Sequence, residues 1–302
     1  MKIGPYTILE RIARGGWADV YKARRGPRGP VVCLKQVRSE FSQSVDFVAL
    51  FLREIEIAER LRHPNVVPVY EHGEDQGYYY VMELVEGADL NHILSGAAPL
   101  EPALVAYLAR ELARALVYIH HRDPTTGGKA LVHADISPHN VLVSQNGEVK
   151  LSDFGIARAL SESGAETVPT TFRGKRLYAS PEQWEGATIS SRSDLFSLGI
   201  VLWRALLRTH PYAEDLPRDS SLRMDEWVRL GVLKNRRRTR DDLGHALPHA
   251  PAPLLDAVDA LLQPVASRMQ TAEELLARVG PLAAPDGAAA LAELVVQAGR
   301  NS

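Results

Sequence analysis

Through the first eighty residues apolar and polar positions alternate, with a single interruption. YTILERIA and DVYKARR change side at every residue and flank a turn that contains GG, the pattern of two paired strands. VVCLKQV continues it and sets Val31, Cys33, Lys35 and Val37 on one face. VALFLREIEIAERL is the interruption: Leu52, Ile55, Ala58 and Leu61 form a helical stripe, with Glu54 at its flank. YYYVMELV returns to a strand. After Gly87 the period becomes helical. EPALVAYLARELARALVYIHH begins with Pro102, where a missing N–H is no loss. VLVSQNGEVKL reads as a hairpin about Asn146-Gly147, and RSDLFSLGIVLWRALLR, apolar nearly all round, as a buried helix. The pattern predicts an α+β chain with a small strand-rich lobe over 1–84, a larger helical lobe over 88–280 and an Ala- and Pro-rich tail over 281–302. For the tail segment AAALAELVVQAG, a packing or dimer helix and a frayed end are both open readings.

Charge and composition narrow the class. A formal charge of −2 over 302 residues offers neither nucleic acid nor an anionic membrane a basic surface. The one dense basic run, RRRTR at Arg236 to Arg240, reads as a solvated loop. A single cysteine, Cys33, excludes an internal disulfide framework and suits a reducing compartment. No apolar run reaches membrane-spanning length, and MKIGPYTILERI has no signal-peptide core, so a soluble, cytoplasmic protein is expected.

The chemistry sits in short motifs of fixed order. HADISPHN, His133 to Asn140, carries an acid, Asp135, and an amide, Asn140; LSDFG places Asp153 thirteen residues after Asn140. SPE follows at Ser180 to Glu182. Lys35 stands on a strand, and Glu54 lies nine residues before His63 of RHPNVV. Singly, Lys35 or Glu54 is a surface charge and Asp153 a turn residue; together their order and spacing mark a site. In this constellation the chain resembles the Hanks-type protein kinases, most closely the bacterial, eukaryotic-like Ser/Thr branch, over residues 6 to about 278.

The resemblance implies a bilobal protein kinase fold that moves the γ-phosphoryl group of ATP, with Mg2+ or Mn2+, to Ser or Thr hydroxyls of a protein. Asp135 would accept the hydroxyl proton, Asn140 and Asp153 would hold the metal, Lys35 would reach the α- and β-phosphates, and Glu54 would hold Lys35. Val20 and Cys33 would roof the adenine pocket and Leu142 floor it. Met82 would be the gatekeeper, Glu83 and Val85 would present hinge backbone groups, and Asp89 would reach the ribose. Asp194 would tie down the catalytic loop, and Arg268 would pair with Glu182. Thr167, Thr170 and Thr171 are candidate autophosphorylation sites.

The chain also departs from the family. The phosphate loop ARGGWADV has Ala13, Gly15 and Ala18 at the three glycine positions, with Gly16 beside the survivor, so a stiffer loop is expected, in which Gly15 still lets amides face the phosphates. Trp17 at its tip either shields the phosphates or stands idle and exposed. Ala134 replaces the arginine that pairs with a phosphorylated activation loop, which implies activity that depends little on such phosphorylation. Ser137 replaces the catalytic-loop lysine, while Lys175 stands where the family has a threonine; either the swap relocates the ammonium beside Asp135, or Lys175 is solvent-exposed and Ser137 marks decay. The rival readings are a pseudokinase scaffold that binds nucleotide and a small-molecule phosphotransferase.

Overall fold

The alternating N-terminal segments pair into one antiparallel sheet. In the computed structural model, which describes residues 1–96, 98–121, 131–154, 177–212, 224–234 and 239–300, its strands are β1 (Lys2–Ile3), β2 (Tyr6–Arg14), β3 (Ala18–Arg25), β4 (Val31–Val37), β5 (Val69–Glu74) and β6 (Tyr78–Glu83). They lie in the order β1-β2-β3-β4-β6-β5. Strand periodicity buries both faces. Tyr6, Tyr21, Leu34, Tyr79 and Val81 pack under Ile3 on one side, while Cys33, Tyr80 and Met82 face the other. There the crossover α1 (Ser39–Ser42) and α2 (Val45–Ala58) close the layer, and Phe47, Phe51 and Ile55 of α2 lie against the sheet. Ser44 starts α2 as an N-cap, its hydroxyl accepting from Phe47 N.

The second half is helical around a small sheet of β7 (Gly87–Asp89), β8 (Val141–Ser144) and β9 (Val149–Leu151). Its helices are α3 (Leu90–Leu94), α4 (Pro102–His120), α5 (Pro181–Trp184), α6 (Ser191–Leu207), α7 (Met224–Leu233), α8 (Arg240–Ala246), α9 (Ala252–Leu261), α10 (Ala272–Val279) and α11 (Gly287–Arg300). The sequence LFSLGIVLW makes α6 apolar on every side, and it is buried from Ser193 to Trp203. A Cβ on Gly199 would come 2.8 Å from Leu261 Cβ, so this glycine lets α9 approach closely. Among the described residues no single helix is long and apolar enough to cross a membrane. Most of the RRRTR run lies outside the described residues.

The tail helix α11 packs on its own chain. Leu291 and Val295 are buried, Gly287 rests on the Tyr107 ring of α4, and the Ala288 carbonyl sits over the β8–β9 turn. That turn is the Asn146-Gly147 hairpin expected from the sequence, with Gly147 at φ +78°. A Cβ on Gly147 would fall 1.7 Å from Ala288 O. Gly147→Ala therefore combines left-handed strain with a backbone collision, and we expect it to cost about 2 kcal/mol, read as a lowered urea midpoint. A midpoint equal to wild type would show that α11 does not rest on this turn.

Candidate active site

The β4–β6 register builds the roof of the cleft. Cys33 pairs with Met82 and Lys35 with Tyr80, so all four side chains share one face. Val20, Val85 and Leu142 pack against the same buried cluster. The apolar groups expected around adenine therefore meet in one layer spanning both halves, with Leu84 beside them. Burial pushes the Cys33 thiol up to about 11, which keeps it a neutral packing group. At the hinge, Glu83 N donates to Pro68 O at 3.1 Å and the Glu83 carboxylate is held by Lys150 at 2.7 Å, so the backbone carbonyl is the atom this residue can present. Asp89 caps α3, its Oδ1 accepting from His92 N at 2.7 Å, and its other oxygen lies 3.7 Å from His139 Nδ1.

Below the cleft, Asp194 fixes the catalytic loop. It is 1% exposed. Its oxygens accept from His133 N and Ala134 N, each at 2.8 Å, and from His120 Nε2 at 2.9 Å. Ala134 is thereby held at φ +62°, and its carbonyl accepts from Gln183 Nε2 at 2.9 Å. The fully buried His133 stays neutral, because burial lowers its pKa. Its Nε2–H donates to Ser152 O at 3.0 Å and its Nδ1 accepts from Asp135 N at 3.2 Å. Asn140 Nδ2 donates to the Asp135 carbonyl at 2.7 Å and to Asp135 Oδ2 at 2.9 Å, and Asn140 O accepts from Ser152 N at 2.9 Å. This network joins Asp135 and Asn140 to the residue before Asp153, which sits at φ +65°.

Those residues fit magnesium. Asn140 spends its amide nitrogen on Asp135, so its oxygen is the atom it would offer, and with the Asp153 carboxylate the donors are hard oxygens. Among the described residues no group of three His, Cys, Asp or Glu side chains makes a protein-only metal cage. Two side chains plus phosphates and water is the usual way magnesium is held.

Several expectations need correction or fall outside the described residues. Lys35 does not meet Glu54. Its Nζ bonds both oxygens of Asp153, at 2.5 and 2.6 Å, and no hydrogen bond or ion pair joins it to Glu54. In the layer between α2 and the sheet, Phe51, one turn before Glu54, packs against Tyr80 and Trp17. Nor does the phosphate loop hold the Gly15 amide open. Gly15 N donates to Ala18 O at 2.9 Å and closes the turn, where a Cβ would come 2.6 Å from that oxygen. The turn carries Gly16, with Ala13 paired to Val20 just behind it. Trp17 is neither a shield nor exposed; it is 8% exposed and folded inward. Ser137 is fully buried, yet among the described residues its hydroxyl has no hydrogen-bond partner and so makes no bond to Asp135. Lys175, Thr167, Thr170 and Thr171 lie outside the described residues.

Two contacts escape a reading of the sequence. Gln183 Nε2 reaches the catalytic loop, and Tyr80 Oη donates to Asp153 Oδ1 at 2.9 Å. The Tyr80 signal is present in YYYVME, where period two places it on the Met82 face, but its target requires the β4–β6 register.

The SPE segment closes the site. Arg268, 0% exposed, forks onto Glu182 at 2.7 and 3.2 Å, donates to Arg192 O at 2.8 Å and lies 4.7 Å over the Phe196 ring. Residues 6–279 match the protein kinase domain. The chain belongs to the protein kinase family. It is 37% identical over 210 residues to serine/threonine-protein kinase PrkC of Bacillus subtilis, covering 69% of this chain and 31% of that one. It is 33% identical over 292 residues to serine/threonine-protein kinase PknB of Mycolicibacterium smegmatis, covering 93% and 44%. It is 34% identical over 255 residues to tyrosine-protein kinase MasK of Myxococcus xanthus, covering 81% and 38%. The chain thus spans less than half the length of each of these relatives.

In this kinase domain the Glu182–Arg268 pair is a buried one whose loss is expensive. Burial pushes the Glu182 carboxyl up, but the hydrogen bonds and charge of Arg268 outweigh it and hold the pKa below 4.5. A carboxyl depressed in the folded state contributes fully above its unfolded pKa, and that contribution is lost as pH falls through the folded value. Arg268→Ala leaves Glu182 buried without its cation, and we expect it to lower unfolding free energy at neutral pH by about 3 kcal/mol or more in urea titration. A loss under about 1 kcal/mol, the worth of an exposed pair, would show the bridge to be peripheral.

Proposed function

We propose that the chain is an ATP- and magnesium-dependent protein kinase that phosphorylates serine or threonine hydroxyls. The observation that carries the reading is the joining of Asp135, Asn140 and the segment before Asp153 in one hydrogen-bonded network beneath an apolar slot. Asp135 takes the acceptor hydroxyl proton as that oxygen bonds to the γ-phosphorus; the bond from γ-phosphorus to the bridging oxygen breaks, and ADP leaves. Asn140 holds Asp135 from the side, so the base keeps its aim. Magnesium bound by Asn140 and Asp153 supplies neutralisation of charge on the phosphate oxygens. Lys35 turns from Asp153 to the α- and β-phosphates, and Val20, Cys33, Met82, Val85 and Leu142 hold adenine and exclude water. Asp89 reaches the ribose.

The γ-phosphate keeps an ammonium neighbour through Lys175, which stands in for the lysine that Ser137 replaced. Support comes from the sequence, in which lysine and hydroxyl have exchanged places at Ser137 and Lys175. Ala134 leaves no arginine to receive an activation-loop phosphate; the Gln183 contact to its carbonyl ties the loop to the SPE segment instead. Turnover therefore depends little on phosphates on Thr167, Thr170 or Thr171, although these remain sites the kinase would modify in itself.

The test is transfer of label from γ-labelled ATP, with magnesium, to the protein itself or to a generic protein substrate, followed by phosphoamino-acid analysis. Label on serine or threonine, lost in Asp135→Asn and Asp153→Ala and reduced on the order of a thousandfold in Lys175→Ala, is expected. Label on tyrosine would overturn the acceptor class, and near-wild-type Lys175→Ala turnover would overturn the relocated ammonium. No label with nucleotide still bound would make the domain a scaffold.

A further inference from the structure

Lys35 accounts for one donor on Asp153, and the metal reading for its function, but neither explains Tyr80. Its Oη donates to Asp153 Oδ1 at 2.9 Å. Tyr80 is directly opposite Lys35 in the β4–β6 register, so a cation and a neutral hydroxyl reach the same carboxylate from adjacent strands. The phenol cannot follow a partner that moves. It is 1% exposed, stacked on Trp17 at 6.3 Å with an interplanar angle of 4°, and packed on Phe51 of α2 at 6.1 Å. The Trp17 carbonyl in turn accepts from Arg38 N at 2.9 Å, which anchors the far side of the stack.

Asp153 has to serve in two settings. In the structure both its oxygens accept from Lys35. Once Lys35 serves the phosphates, the carboxylate loses that cation, at a residue whose backbone is already in the left-handed region. We propose that Tyr80 is a positioning residue for Asp153: its hydroxyl keeps hold of Oδ1 in both settings and leaves Oδ2 directed at the metal. A neutral donor suits this task, because a second cation would compete with magnesium for the same charge, whereas a phenol fixes the rotamer and leaves the carboxylate anionic. The assignment rests on the kinase reading of Asp153.

The experiment is a magnesium titration of ADP binding by calorimetry, with wild type and Tyr80→Phe, which removes one oxygen and keeps the ring in its stack. The magnesium needed for half-maximal binding should rise on the order of tenfold in Y80F, the factor a hydrogen bond to a charged group is worth. ADP affinity in EDTA should not change; a merely structural role would move both. An unchanged magnesium midpoint, or a loss of affinity equal with and without the metal, overturns the assignment. Wild-type protein that binds no ADP at any magnesium concentration would instead overturn the reading of the site, and the assignment with it. A second measurement needs no variant. In wild type the Tyr80 hydroxyl proton, followed by NMR, should stay protected from exchange both alone and with magnesium and ADP. Its exposure in the complex overturns the proposal whether or not Y80F folds.

Discussion

Two oppositely charged side chains, Lys35 from the sheet and Asp153 from beneath it, meet across the cleft, and the layout of the site follows from that contact. Each is nearly buried, at 11% side-chain exposure, where an ion pair is worth keeping only if its hydrogen bonds are complete. They are: the lysine spans both carboxylate oxygens and Tyr80 adds a third donor. The pair therefore joins the two groups to which the proposed function gives the phosphates and the metal. Glu54 makes no bond to Lys35 in this arrangement, and the Trp17–Tyr80–Phe51 stack lies between α2 and the sheet. Trp17 is folded inward beside a turn closed by its own Gly15–Ala18 hydrogen bond.

The frame around this contact is built from buried, fully partnered charges. Asp194 takes three donors and imposes a left-handed backbone on Ala134, and Arg268 spends its guanidinium on Glu182 and two backbone carbonyls. These groups touch neither nucleotide nor acceptor. Their work is to keep the catalytic loop and the SPE segment in register, so that Asp135 and Asn140 reach the cleft with their mutual bond already made. The α11 helix extends that frame, covering the back of the β8–β9 hairpin that leads into Asp153.

Much of this architecture is legible in the order of the amino acids. Strand and helix periods place β2, β3, β4, β6, α2, α4 and α6 within a few residues, because each must bury one face or all of its surface. The apolar adenine set and the Asp194 and Arg268 anchors are legible through motif spacing. Strand β5 is not: VYEHGE has no apolar alternation, and it pairs because it lies at the sheet edge beside β6. Register and rotamer are also hidden from the linear chain. The partner of Lys35 depends on its rotamer across the cleft, and the target of Tyr80 on which residue of β4 it faces. Spacing limits which residues can meet; packing chooses among them.

The central claim is that Lys35 is paired with Asp153, not with Glu54, when no nucleotide is bound. Two double-mutant cycles in urea unfolding test it most directly, one from Lys35→Met and Asp153→Asn, the other from Lys35→Met and Glu54→Gln, both without nucleotide. A coupling of about 1 kcal/mol or more in the first and near zero in the second is the predicted result. Strong coupling between Lys35 and Glu54, with none to Asp153, would contradict the account.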